Sequence, residues 1–104
     1  MDKNNAAKLS YDSIRRMYKN YLESTETCKS PNTINTQAGD TFYLWNNISK
    51  DVFWDTVFSE QFEQKARTLL REALSDNSTG NIEKLIPGYV AHLKSFRKYI
   101  LNLT

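Results

Sequence analysis

The sequence predicts an all-α fold, a compact and irregular bundle of about five helices. Apolar residues recur at steps of three and four along most of the chain, which is the spacing of one helix face. Only three glycines and two prolines interrupt the 104 residues, and no turn pair of the β-hairpin type joins two alternating segments. A chain of this length forms one core. We therefore expect a flexible N-terminal tail over residues 1–9 and a single helical domain over residues 10–104.

Start signals precede the first two apolar stripes. Ser10 is a suitable N-cap for a first helix that ends near Leu22, because its hydroxyl can accept a bond from a free amide of the first turn. Residues 23–29 lack periodicity and are predicted to form a loop. Ser30 and Pro31 then start the second helix, since proline at the first helical position loses no needed hydrogen bond.

The middle of the chain is predicted to contain the rest of the second helix and two further helices. The second helix includes Gly39, which costs about 1 kcal/mol relative to alanine, and ends near Asn47. Ser49 is a candidate cap for a short third helix, and Ser59 for a fourth. The fourth helix is expected to end in a loop over residues 75–81.

The fifth helix is predicted to have an apolar face and a basic face. Apolar residues follow one helical stripe over residues 82–101, and no acidic residue follows Glu83. Pro87 lies inside this pattern, where it lacks an amide hydrogen and disfavours helical geometry at the preceding residue. The sequence thus predicts one turn over residues 82–86, a kink or restart, and a main helix over about residues 88–102.

Charge is unevenly distributed along the chain. The formal net charge of +2 implies neither a nucleic-acid nor a membrane partner by itself. Residues 30–83 contain four basic and eight acidic residues, whereas residues 84–104 contain four basic residues and no acidic one. Residues 1–29 carry a net +2. Both ends of the chain are therefore basic, and the middle is acidic.

Side chains that support catalysis are scarce in this sequence. His92 is the one histidine and Cys28 the one cysteine, and no neighbouring residue marks either as activated. We expect His92 to be an exposed or half-buried surface residue. One histidine and one cysteine cannot form a typical zinc site, and glycine-rich phosphate loops are absent. The sequence predicts a chain with no enzyme activity, no cofactor and no metal of its own.

The cellular location is predicted from what the sequence lacks. Cys28 has no partner for an internal disulfide, and the polar start of the chain has no apolar core of a secretion signal. No run of about 18 apolar residues suits a membrane span. We expect a cytoplasmic protein with no membrane partner.

An aromatic group in the middle of the chain has two interpretations. Its rings could stack on nucleobases. They could instead form the core, as is usual for aromatic residues at helical spacing in a small α-domain, and we favour this interpretation. The group consists of Phe42, Tyr43, Trp45, Phe53, Trp54 and Phe58.

The strongest functional candidate is the basic face of the fifth helix. Lys94 and Lys98 are one turn apart, with Arg97 beside them. Arg67 and Arg71, one turn apart in the fourth helix, are predicted to be exposed as well. Such cations can neutralise DNA phosphates. The alternative is a solvated helix end, whose basic residues interact favourably with the negative pole of the helix dipole.

Two segments together resemble a known module. Residues 30–45, SPNTINTQAGDTFYLW, and residues 88–101, GYVAHLKSFRKYIL, look like the first and last helices of the SAM-like core-binding domain of phage integrases and other tyrosine recombinases. The first segment has the Ser-x-x-Thr type of opening. The second has the pattern of a leucine, a basic residue, a phenylalanine and a tyrosine that runs here from Leu93 to Ile100.

The resemblance implies a SAM-like bundle that grips one side of double-stranded DNA without cutting it. It also implies a separate catalytic domain, C-terminal to this module in the same parent protein, that holds the other side of the duplex. The basic residues that match the family's last helix are Lys94, Arg97 and Lys98. The family's catalytic residues belong to the other domain, and none is carried over here.

The alternative function is a helical protein-interaction domain with no nucleic-acid role. The acidic middle of the chain and the modest net charge fit this alternative. It predicts an exposed apolar patch around Tyr43, Leu44 and Trp54.

Overall fold

A computed structural model describes residues 1–25, 30–75 and 81–103 of the chain. These residues form seven helices and no strand: α1 (Lys3–Ala6), α2 (Tyr11–Thr25), α3 (Pro31–Thr41), α4 (Tyr43–Asn47), α5 (Lys50–Val57), α6 (Phe62–Leu74) and α7 (Ile82–Asn102). The radius of gyration is 13.4 Å, close to the value of about 13 Å expected for a compact domain of this length. The prediction of a compact all-α bundle is confirmed, but the described residues contain seven helices rather than about five.

Serine caps start three of the helices as predicted. The hydroxyls of Ser10, Ser30 and Ser49 each accept a hydrogen bond from the backbone amide three residues later, at 3.1, 3.2 and 3.1 Å. Each bond satisfies an amide that has no partner inside its helix. The predicted cap at Ser59 is wrong, because α6 begins at Phe62 with Gln61 as its N-cap, and the Ser59 hydroxyl instead accepts from the amide of Gln61 at 3.1 Å.

The predicted second helix is in fact two helices, α3 and α4, separated at Phe42. The φ and ψ angles of Phe42 are −97° and 16°, outside the helical range, so that α3 ends and α4 begins there. Both Phe42 and Leu44 are buried in the core. Residues two apart in one continuous helix do not face the same way. The break at Phe42 therefore allows both side chains to pack in the core.

Helix α1 lies inside the stretch for which the sequence predicts a flexible tail. The carboxylate of Asp2 accepts a hydrogen bond from the Asn5 amide at 2.8 Å and caps this single turn. Ala6 is fully buried and belongs to the core. That residues 1–9 are flexible stays a prediction.

Helix α7 runs through Pro87 without a break, so of the predicted kink or restart near Pro87 the restart is wrong. Asn81 caps the helix as predicted, with its side chain accepting a hydrogen bond from the Glu83 amide. Proline removes one intrahelical hydrogen bond, and the Pro87 ring is exposed. Ile86 and Val90, on either side of it, are both buried, so both parts of the helix pack on one core.

Phe96 of α7 is at the centre of an aromatic core. It is fully buried, and five other ring centres lie 5.0 to 6.2 Å from its own. These rings belong to Tyr18, Phe42, Phe53, Trp54 and Tyr99. The aromatic group of the sequence is therefore a core, as predicted: three of its six residues are buried and three are partly buried against the core.

Candidate nucleic-acid interface

Helices α6 and α7 pack against each other in antiparallel orientation. The ring of Phe62, at the start of α6, lies 5.4 Å from the guanidinium of Arg97 near the end of α7. Arg71, near the end of α6, contacts Glu83 at the start of α7. Four of the five predicted site residues are exposed on this helix pair, and we call them the α6/α7 cations: Arg67, Arg71, Lys94 and Lys98.

The helical repeat aligns the α6 part of this surface. Glu63, Arg67 and Arg71 follow one another at steps of four, so they lie in one row along α6. The amine of Lys94 on α7 is 3.6 Å from the Glu63 carboxylate, at one end of the row. Arg71, at the other end, donates to Glu83 at 2.8 Å. Arg67, Arg71 and Lys94 therefore lie along the same seam between the two helices.

The acidic residues of the seam hold its cations only weakly. The four side chains of the two ion pairs, Lys94 with Glu63 and Arg71 with Glu83, are each 53% to 68% exposed. Exposed pairs of this kind contribute little to stability, because water and salt screen them. A phosphate can therefore replace either carboxylate as the partner of its cation at small cost.

The pKa of Glu83 is lowered by the basic groups around it. The hydrogen bond from Arg71 lowers the pKa of Glu83, and the charges of Arg71 and Arg67 lower it further. The same hydrogen bond raises the pKa of Arg71. Both arginines of α6 thus act on one carboxylate, which agrees with their alignment in the row.

Unlike the four α6/α7 cations, Arg97 is bound to backbone carbonyls within the described part of the chain. Its Nε donates to the carbonyl oxygen of Val57 at 2.8 Å, and its Nη2 donates to that of Ser59 at 3.4 Å. Its guanidinium also packs over the ring of Phe62. Arg97 is half-buried and ties α7 to the connection between α5 and α6. A contact between Arg97 and DNA stays a prediction.

A carboxylate and an imidazole meet between α3 and α7, an arrangement that the sequence did not reveal. Nε2 of His92 is 3.7 Å from Oδ2 of Asp40, and the two side chains are 34% and 29% exposed. Burial raises the pKa of Asp40, and the charge of His92 opposes the rise. The pKa of Tyr89 is also raised, by burial and then by the charges of Asp40 and Tyr43. His92 is half-buried, as predicted.

Next to this pair, a shallow groove of about 300 Å³ opens along α3. It is lined by hydroxyl and amide side chains together with the imidazole: Asn32, Thr33, Thr36, Gln37 and His92. Hydroxyls, amides and an imidazole can hydrogen-bond a small polar ligand. Periodicity cannot reveal such a groove, because its two walls come from helices that are far apart in the sequence.

Two further predictions concern a metal site and a membrane-spanning helix. Within residues 1–25, 30–75 and 81–103, no three His, Cys, Asp or Glu side chains are close enough together to hold a metal ion. None of the helices in that part of the chain is both long and apolar enough to cross a membrane. Cys28 lies outside the described residues.

The apolar patch required by the protein-interaction alternative is not exposed. Leu44 and Trp54 are each 1% exposed. Tyr43 is half-buried against the core, with its ring 5.1 Å from that of Tyr89. This version of the alternative therefore loses its main support.

Comparison with known proteins finds no family model, no curated protein and no solved structure that matches this chain. The resemblance to the core-binding domain of integrases is thus neither supported nor opposed by these comparisons.

Proposed function

We propose that this chain is a non-catalytic module that binds double-stranded DNA through the α6/α7 cations. The observation that carries the proposal is the seam of Arg67, Arg71 and Lys94, with Lys98 one turn further along α7. Buried residues of both helices fix their backbones in the core, so the backbone sites that carry the cations are set before any ligand arrives. Phosphates recognised in this way carry little sequence information, so the binding is weakly selective.

The resemblance extends this proposal to a longer protein. In that setting the module precedes a catalytic domain of the recombinase type and works in the cytoplasm. Reading the gene beyond the codon of Thr104 tests this part directly. A downstream domain with the recombinase set of arginines, a histidine and a nucleophilic tyrosine supports it, and an unrelated downstream sequence opposes it.

DNA binding itself is tested by fluorescence anisotropy with a labelled duplex over a series of salt concentrations. Affinity should fall steeply as salt rises, because each cation that contacts a phosphate releases a counterion. In Lys94→Gln/Lys98→Gln the slope of log affinity against log salt should decrease by about 1.8, and affinity at low salt should fall about tenfold.

A matched control removes the same charge from another part of the surface. Lys8 and Arg16 are both exposed and lie on or next to α2. Lys8→Gln/Arg16→Gln should leave both slope and affinity close to those of the wild type. Equal losses in the two double variants would mean that net charge alone attracts DNA, and this result or the absence of binding at low salt would overturn the proposal.

A further inference from the structure

A small cleft lies between the end of α2 and the end of α7. Its volume is about 230 Å³, below the range of about 300–1,000 Å³ that holds drug-sized ligands. Its walls combine aromatic rings, a cation, an amide and an aliphatic residue: Tyr21, Tyr99, Lys98, Asn102 and Leu103. A cleft of this size and composition suits one flat ring system that carries negative charge at its edge.

The aromatic wall of the cleft is fixed by the core. The ring centres of Tyr21 and Tyr99 are 4.5 Å apart, and Tyr21 also stacks on Tyr18 with an interplanar angle of 17°. Tyr18 is fully buried, and both Tyr18 and Tyr99 contact Phe96. Tyr21, in contrast, is 39% exposed. Tyr21 is therefore the most exposed ring of the stack, and its neighbours hold it in place.

The charge in the cleft is positive. Lys98 is exposed and forms no ion pair within the described part of the chain. No acidic residue occurs from residue 84 onward. Burial and the neighbouring Tyr21 raise the pKa of Tyr99 above its ordinary value of 10.0, so this phenol adds no negative charge at neutral pH. None of the residues that line the cleft is acidic, so an anionic group can contact Lys98 there.

We propose that this cleft binds an unpaired nucleobase, which packs on the ring of Tyr21 while its adjoining phosphate contacts Lys98. This inference rests on the proposed function, because Lys98 is one of the α6/α7 cations. It adds a site for single-stranded nucleic acid at one end of the duplex-binding surface. Every base has a flat π-face that stacks on an aromatic side chain, so the site takes any base. A free phosphate would make no stacking contact with the rings, and an apolar ligand would make no ionic contact with Lys98.

The test compares two labelled single strands with equal charge. One is an oligothymidine of about 12 nucleotides, and the other has the same backbone with abasic units in place of the bases. Wild-type protein should bind the oligothymidine at least about fivefold more tightly, the effect of one stacked base. Tyr21→Ser should remove this preference. Tyr21→Phe should keep it, and so should Ile48→Ser, which alters an exposed apolar residue outside the cleft.

The outcomes separate the two proposals. Equal binding of both strands by the wild type, alongside intact duplex binding, overturns the cleft and leaves the duplex proposal standing. Absence of binding to every nucleic acid overturns both. If polyglutamate displaces the labelled oligothymidine as effectively as the unlabelled oligothymidine does, the site takes acidic chains of any kind. This result also overturns the base site.

A second measurement keeps the test valid if Tyr21→Ser fails to fold. An oligonucleotide that carries 4-thiothymidine is crosslinked to the wild-type protein by light, and the attachment point is mapped by mass spectrometry. Crosslinks at Tyr21 or Tyr99 support the base site. Crosslinks confined to other parts of the chain overturn it.

Discussion

At the scale of single residues, Arg97 is a cation that the fold itself uses. Its guanidinium supplies donors to the carbonyls of Val57 and Ser59. In Arg97→Met the long apolar stem remains, but both carbonyls lose their donor. We expect the free energy of unfolding to fall by about 1–3 kcal/mol, as measured by urea denaturation. Lys98→Met, one residue further on and exposed, should change it by less than about 0.5 kcal/mol. Equal effects of the two variants would contradict a structural role for Arg97.

Asp40 makes the stability of the protein depend on pH. Burial raises its pKa above 3.8, so the folded chain binds this proton more tightly than the unfolded chain. The resulting stabilisation is fully present below pH 3.8 and is lost as the pH rises through the folded-state pKa. In urea denaturation from about pH 3 to about pH 7, the free energy of unfolding of the wild type should therefore fall relative to that of Asp40→Asn.

His92 provides the control for this pH effect. Its charge opposes the rise in the pKa of Asp40, so His92→Gln should raise that pKa further and widen the pH range of the loss. Direct titration of the Asp40 carboxyl carbon by NMR measures the same quantity. Parallel pH profiles for wild type and Asp40→Asn, or a lower pKa in His92→Gln, would contradict the assigned cause.

At the scale of the helices, Gly39 weakens α3 without a packing reason. A Cβ atom built on it meets nothing within 4 Å, and its φ angle is not positive. Gly39→Ala should therefore raise the free energy of unfolding by about 0.5–1 kcal/mol, because alanine loses less backbone freedom on folding. Ala91→Gly, an exposed site in α7, should lower it by a similar amount. Thermal denaturation followed by circular dichroism measures both, and no gain for Gly39→Ala would contradict the prediction.

The start of a helix could be predicted from the sequence where it depends on local chemistry. The cap at Ser30 needs only its own hydroxyl, the following proline and an amide three residues away, and all three can be read from adjacent positions. The break at Phe42 and the continuity through Pro87 could not be predicted in this way. Both depend on packing in the core. Phe42 and Leu44 are buried there together, and Ile86 and Val90 are buried on the same side of α7.

The same distinction between local chemistry and helix packing applies to the candidate site. Helical periodicity was enough to predict that Lys94 and Lys98 would be exposed, because their positions on α7 point away from its apolar stripe. Periodicity also predicted an exposed Arg97, yet the fold turns this side chain toward a carbonyl 40 residues away in the sequence. Asp40 and His92 likewise come from different helices. Contacts of this kind depend on how the helices pack, which spacing along one helix does not encode.

At the scale of the whole molecule, the two ends of the described chain meet. The ammonium group of Met1 donates to the carbonyl oxygen of Ile100 at 3.1 Å, and Ala6 belongs to the common core. Helix α7 also packs against α3, α5 and α6. The first turn of the chain and most of its later helices thus depend on the same long helix, so we expect the domain to unfold as one unit.

Phe96 provides the test of this cooperativity. Phe96→Ala removes the ring around which the core is built and should lower the free energy of unfolding by about 3–5 kcal/mol, out of a total of about 5–15 kcal/mol for such a domain. Phe58→Ala, at a half-buried position, should cost less. Trp45 and Trp54 both contact this core, so their fluorescence reports its packing, whereas far-UV circular dichroism reports the helices. The two signals should give the same urea midpoint in the wild type and shift together in Phe96→Ala. Separate midpoints would mean that some helices persist without the aromatic core, against the architecture described for α7.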